Sequence, residues 1–194
     1  MNEDWIEGDL YFDFSNAKRA VNFDNGGKGH GLNDILKAVD FIVEDDKNYY
    51  LIEVKNPENS RIPNDRKELE KNKFREMLKG EDKKDKKKVL EFYLKLIGKF
   101  IDSLIFETFS RGIPNKKIKY VILICISSLD DRQLSQLKDD FVNSDKKFKR
   151  IYEGPSKGEY KPKSSKDNWF EVLFFNFESW NNSILGEKFK VSKI

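Results

Sequence analysis

Apolar and polar residues alternate from Asp9 to Phe14, with Leu10, Phe12 and Phe14 in one phase and Asp9, Tyr11 and Asp13 in the other. That pattern predicts a strand with one buried face. Ser15-Asn16 then either caps a short helix or leads into a second strand ending near Phe23. Asn25 to Gly31 holds four glycines in seven residues and reads as a loop. Two apolar runs follow, Ala38 to Glu44 and Tyr49 to Lys55, separated by the turn formers Asp45, Asp46, Lys47 and Asn48, and predict a hairpin. Asn56-Pro57 ends the second strand, because proline cannot donate to a ladder.

Beyond the hairpin the period changes. Asp65 to Lys79 predicts a polar helix with Leu69, Phe74, Met77 and Leu78 as a thin apolar side, and Gly80 to Lys88 a charged connector; residues 57–88 together form a charged helical insertion. From Lys88 to Ser110, Leu90, Leu94, Ile97, Ile101, Leu104 and Ile105 recur at helical spacing, so this helix should be largely buried. A polar strip of Glu91, Lys95, Lys99 and Asp102 survives on it. Gly112 and Pro114 end the helix. Ile118 to Ser127 then predicts a central strand, Asp130 to Phe141 a capped surface helix, and Trp169 to Glu178 a last, aromatic-rich strand. The order implies an α/β fold, a mixed sheet with helices on both faces.

The chemistry enters with the hairpin register. A four-residue loop pairs Glu44 with Tyr49, Ile42 with Leu51 and Asp40 with Glu53, and alternation puts Lys55 on the face of Glu53. Two carboxylates about 5 Å apart repel by roughly 3 kcal/mol at an effective dielectric of about 20. A cation must offset that cost, and hard carboxylate oxygens suit Mg²⁺, with Mn²⁺ as substitute. An acid two residues before a lysine is common in this chain, as at Asp65 with Lys67 or Glu81 with Lys83. Glu53-Val54-Lys55 differs in lying on a strand whose middle is apolar on both faces, so its polar groups interrupt a buried surface.

Val39-Asp40-Phe41-Ile42-Val43 with Leu51-Ile52-Glu53-Val54-Lys55 resembles the core of the PD-(D/E)XK nuclease superfamily, the restriction-endonuclease-like fold. The resemblance covers residues 38–56, with valine at 39 where the family has proline. It implies metal binding by Asp40 and Glu53, catalytic assistance by Lys55, and a helix after the strand that aims a polar residue, Lys95 or Lys99, at substrate. The family's preceding acid has four candidates here: Glu3, Glu7, Asp24 and Asp34. The implied activity is Mg²⁺-dependent phosphodiester hydrolysis in nucleic acid, DNA before RNA, in defence, restriction or repair. The alternative is a module of the same fold that binds nucleic acid or protein without turnover.

Composition narrows this picture. The chain's 194 residues suit one domain, and 16 Phe supply core despite a charged fraction of 37%. Its net charge of +3 is uneven: 12 basic and 7 acidic residues fall between Arg61 and Lys88, and 8 and 4 between Asn143 and Asp167. Such stretches can track a phosphate backbone. No apolar run spans a bilayer and the amino terminus is acidic, so a cytoplasmic protein without membrane contact is expected. Cys125, in an apolar run, reads as a buried structural thiol. The glycine loop lacks the Lys-Ser/Thr of a P-loop, which argues against nucleotide binding; its His30, the only histidine, is a candidate substrate contact. The small size leaves specificity to a homodimer or a partner subunit.

Overall fold

The two apolar runs form the predicted hairpin. Strand β4 (Phe41–Glu44) pairs antiparallel with β5 (Asn48–Lys55) in the expected register, Glu44 opposite Tyr49 and Ile42 opposite Leu51. The turn is held by Asp45, whose Oδ1 accepts the backbone N–H groups of Lys47 and Asn48 at 2.8 and 2.7 Å. The computed structural model describes residues 2–25, 35–79, 83–112, 115–154 and 169–194. The remaining elements, in chain order, are β1 (Ile6–Glu7), β2 (Leu10–Phe12), β3 (Arg19–Asn22), α1 (Asn64–Lys79), α2 (Lys83–Arg111), β6 (Lys117–Ile124), α3 (Asp131–Asn143), α4 (Lys146–Glu153), β7 (Phe170–Phe175), α5 (Phe177–Asn181), α6 (Ile184–Lys188) and β8 (Val191–Lys193).

Five strands make a mixed sheet in the order β3-β4-β5-β6-β7. The first two pairings are antiparallel and the last two parallel. The parallel pairings follow from the helical crossovers between β5, β6 and β7, since a tight turn can join only antiparallel strands. One face packs Ile42, Leu51, Tyr120 and Ile122 against Tyr93, Leu96 and Phe100 of α2, Leu137 and Phe141 of α3 and Phe148 of α4. On the other face, Phe41, Val43, Ile52, Val121 and Leu123 meet Leu10 and Phe12 of β2, Val191 of β8, Trp180 of α5 and Leu185 of α6. The expected helices on both faces are therefore unequal. The long ones share one face, while a three-stranded antiparallel sheet, β1-β2-β8, and two short helices cover the other.

Several boundaries differ from the sequence expectation for identifiable reasons. The strand expected from Ala38 begins only at Phe41, because α2 takes over the preceding backbone: Lys37 N–H donates to Asp102 Oδ2 at 3.1 Å and Val39 N–H to Ser103 Oγ at 3.0 Å. The expected connector is helical from Lys83, where no glycine or proline interrupts the run and Lys88 pairs with Asp85 at 2.8 Å. The last strand stops at Phe175, as Asn176 and Ser179 form a capping box that starts α5. The open choice after Ser15-Asn16 resolves as the strand β3. Helices α4 and α6 and strand β8 had no counterpart in the sequence pattern. Cys125 is buried as expected, and burial pushes its thiol up to about 12. Among the described residues, no helix is long and apolar enough to cross a membrane.

A buried ion network ties the sheet to α2 at the opposite end from the glutamate of β5. Arg19 on β3 grips Glu107 of α2 bidentately at 2.9 and 3.1 Å and reaches Glu44 at 3.1 Å. Tyr49 O–H donates to Glu107 Oε2 at 2.5 Å. Every partner of the buried carboxylate is a donor, which meets the condition for a charge to be tolerated in a core.

Candidate active site

Asp40, Glu53 and Lys55 come together where the hairpin meets α2. Asp40 sits one residue before the β4 ladder, and its side chain rather than its backbone takes the next N–H of β5: Val54 N–H donates to Asp40 Oδ2 at 2.6 Å. Its own carbonyl accepts from Phe23 N–H at 2.8 Å, which aligns it beside β3. Glu53 follows Leu51 and Tyr49 on the helix-facing side of β5 and is 0% exposed. Its Oε1 faces two ammonium groups, Lys55 at 2.5 Å and Lys99 of α2 at 3.0 Å. Its Oε2 is buried and has no hydrogen-bond partner among the described residues.

Lys99 sits among the acids. Its Nζ lies 3.0 Å from Glu53 Oε1, 3.6 Å from Asp40 Oδ1 and 3.6 Å from Asp24 Oδ2. Of the two lysines expected on this helix, Lys99 enters the cluster, while Lys95, one turn earlier, is exposed. Of the four candidate preceding acids, Asp24 reaches the cluster through Lys99, and Glu7 feels the charges of Asp40, Lys55 and Lys99. Glu3 is exposed in a 3-10 turn; Asp34 and His30 lie outside the described residues.

Glu7 is brought here by the β1–β2 turn. Gly8 adopts φ 61°, a left-handed conformation that side chains with a Cβ rarely take, and a Cβ there would also push the Asn59 amide aside, so glycine favours this close approach to the loop after β5. Asp9, next in the turn, clamps that loop by accepting from Asn56 Nδ2 at 2.5 Å and Ser60 N–H at 2.6 Å. A two-residue strand has no periodicity to read. The Glu-Gly-Asp sequence of the turn was the only signal that could have singled out Glu7.

Burial first, and the charge of Asp40 second, push Glu53 up to about 7. The same two causes push Glu7 up to about 7. Asp40 is also raised, because burial outweighs Lys99, Lys55 and the Val54 N–H. Burial disfavours the Lys99 ammonium, but Asp40 and Glu53 more than restore it, so its pKa lies above the ordinary lysine value. The repulsion between Asp40 and Glu53 is thus partly met by the protein's own cations. Four carboxylates (Glu7, Asp24, Asp40, Glu53) still outnumber two ammonium groups (Lys55, Lys99), leaving −2 when all are ionised.

Glu53 has a folded pKa of about 7 against 4.5 in the unfolded chain. Its contribution to stability is complete below pH 4.5 and is lost as pH rises through 7, by up to about 3 kcal/mol. Glu7 acts with the same sign. Without divalent metal, the melting temperature should therefore fall between about pH 5 and 8, and Glu53→Gln should flatten that limb. A wild-type curve flat across this window would contradict the assignment.

Among the described residues, no three His, Cys, Asp or Glu side chains are grouped so as to hold a metal ion by themselves. Mg²⁺ does not need such a cage, being typically held by one or two carboxylates with water and substrate phosphate oxygens. The donors fit that mode: Asp40 and Glu53 are hard oxygen ligands, Glu53 Oε2 lacks a partner among the described residues, and the cluster is net negative once its carboxylates are ionised. Compared with protein-family models, curated proteins and solved structures, the chain finds no match.

Proposed function

We propose that the protein is a divalent-metal-dependent nuclease of the PD-(D/E)XK type that hydrolyses phosphodiester bonds. The observation that carries this reading is the convergence of Asp40, Glu53 and Lys55 at the edge of a buried sheet face, with one Glu53 oxygen left without a partner. Asp40 and Glu53 would hold the ion, which when bound supplies a Lewis acid for phosphoryl oxygens and an activated water. The Val54 N–H fixes the Asp40 carboxylate before substrate arrives, so little rearrangement is needed at the moment of reaction. Lys55, whose side chain is one-third exposed, is the member able to face a scissile phosphate, orienting water or countering developing charge.

The polar strip on α2 supports nucleic acid as the substrate. Lys84, Lys88, Lys95 and Lys99 recur at intervals of four, seven and four residues and share one helix face, with Glu91 between them paired to Lys87 at 3.9 Å. Lys84, Lys88 and Lys95 are exposed. From Lys84 to Lys99 the face runs ~22 Å, long enough to track several phosphates toward the carboxylates. Reversing the charge of Lys84, Lys88 and Lys95 together should lower the slope of log affinity against log salt by about 2–3. The single-turnover rate at saturating substrate should not change. Fluorescence anisotropy across a salt series checks the first expectation and rapid-quench kinetics the second.

The direct test of the nuclease reading is incubation of the wild type with single- and double-stranded DNA and with RNA, in Mg²⁺ and in Mn²⁺. Cleavage of at least one of them, abolished by chelator, is expected; cleavage of none would remove the reading. A non-catalytic binding module draws support from the two ammonium groups, Lys55 and Lys99, that pair with Glu53. Salt-sensitive binding without cleavage would favour it.

A further inference from the structure

Lys99 occupies an unusual position for a lysine. Its ammonium lies within 3.0–3.6 Å of carboxylate oxygens from three different segments, Asp24 after β3, Asp40 before β4 and Glu53 on β5. Such a set surrounds the point where a cation is best stabilised. The aliphatic stem rises from α2 beside Phe100, a core residue, so the helix delivers the charge from a fixed base. Asp24 is linked to Asp40 and Glu53 through this ammonium. Glu53 Oε2 meanwhile keeps an unused lone pair in a fully buried setting.

We infer that Lys99 is a resident cation that holds the carboxylate cluster together in the metal-free protein and is displaced from it when a divalent ion binds. An ammonium and a divalent ion cannot share the same carboxylate oxygens without strong mutual repulsion. Lysine is suited to the exchange, being a compact charge on a flexible four-carbon stem. Its partly exposed side chain, 20% accessible, gives it a route outward. The released ammonium then lies at the end of the basic face of α2, where it meets substrate phosphate. Binding of metal and capture of substrate are coupled through one side chain. The inference rests on the metal-dependent reading of the site.

The test compares Mn²⁺ binding by the 194-residue wild type, Lys99→Gln and Lys95→Gln, using calorimetry without nucleic acid. Lys99→Gln should bind Mn²⁺ on the order of ten-fold more tightly than wild type, and should be less stable than wild type in chelator. Lys95→Gln, one turn away and exposed, should match wild type in both. In parallel, lysine acetylation of the wild type mapped by mass spectrometry should show Lys99 protected in chelator and several-fold more reactive with Mn²⁺; this readout serves even if Lys99→Gln fails to fold. Wild-type binding that Lys99→Gln leaves unchanged or weakens, or Lys99 equally protected with and without bound Mn²⁺, would overturn the displacement and leave the nuclease reading standing. Failure of both proteins to bind Mn²⁺ would overturn the two together.

Discussion

Asp40→Asn should abolish both cleavage and the thermal stabilisation that Mn²⁺ or Mg²⁺ gives the wild type. Asparagine keeps an oxygen able to accept the Val54 N–H, so the local fold should survive. With one buried charge removed from an anionic cluster, the variant in chelator should be at least as stable as wild type. The lost ion contributes several kcal/mol of charge stabilisation in such reactions, so cleavage should fall on the order of 10³-fold or more. Glu53→Gln should behave alike. Lys55→Ala separates the roles: lysine is not a metal ligand, so the Mn²⁺-induced rise in melting temperature should persist while the single-turnover rate drops roughly 10²- to 10³-fold. Melting curves across a metal titration and rapid-quench assays on the same preparations provide both readouts. If Asp40→Asn or Glu53→Gln cuts as fast as wild type, the site has been wrongly assigned.

Glu107→Ala should produce the largest loss of stability among these substitutions, about 3–5 kcal/mol. It strips Arg19 of its bidentate partner and leaves the Tyr49 hydroxyl, donor to Glu107 at 2.5 Å, unpaired in a buried site. Glu107→Gln retains an acceptor for one of them and should cost less. Glu76→Ala removes an exposed pairing with Lys79 on α1, and such pairs contribute at most about 1 kcal/mol. Urea denaturation should show the midpoint moving for Glu107→Ala with little change in slope, and scarcely moving for Glu76→Ala. Equal, small shifts for both would mean that the network does not hold β3 to α2.

The difference between those two glutamates could not be read from the chain. Glu107 follows Ser103 and Phe100 on the core side of α2, among Leu104, Ile105 and Phe106, but helical phase alone does not tell a buried acid from one on a solvent strip. Its burial depends on Arg19, a residue of a short strand with no apolar period.

Local pattern did determine the hairpin, its register and its two-faced burial. Alternation is strict along a strand, and the Asp45–Asn48 turn leaves only one pairing that buries Ile42 and Leu51 together. The opposition of Asp40 and Glu53, with Lys55 on the same face, follows from that register, and the central strand follows from its unbroken apolar run. The long helix was legible too, but it buries Tyr93, Leu96, Ile97 and Phe100 and leaves Leu90, Leu94 and Ile105 of the expected stripe exposed, because the docking of α2 on the sheet sets which face is inward. Tertiary structure alone decided which other charges join them. Lys99 rather than Lys95 enters the cluster because α2 docks on β5 through Tyr93, Leu96 and Phe100. Glu7 arrives through the clamp of Asp9 on the loop after β5, and Asp24 through the docking of β3 on β4. The N- and C-terminal strands that cover the second face pair with each other across the length of the chain. Short strands and isolated charges carry no period, so their positions are set by contacts between segments far apart in sequence.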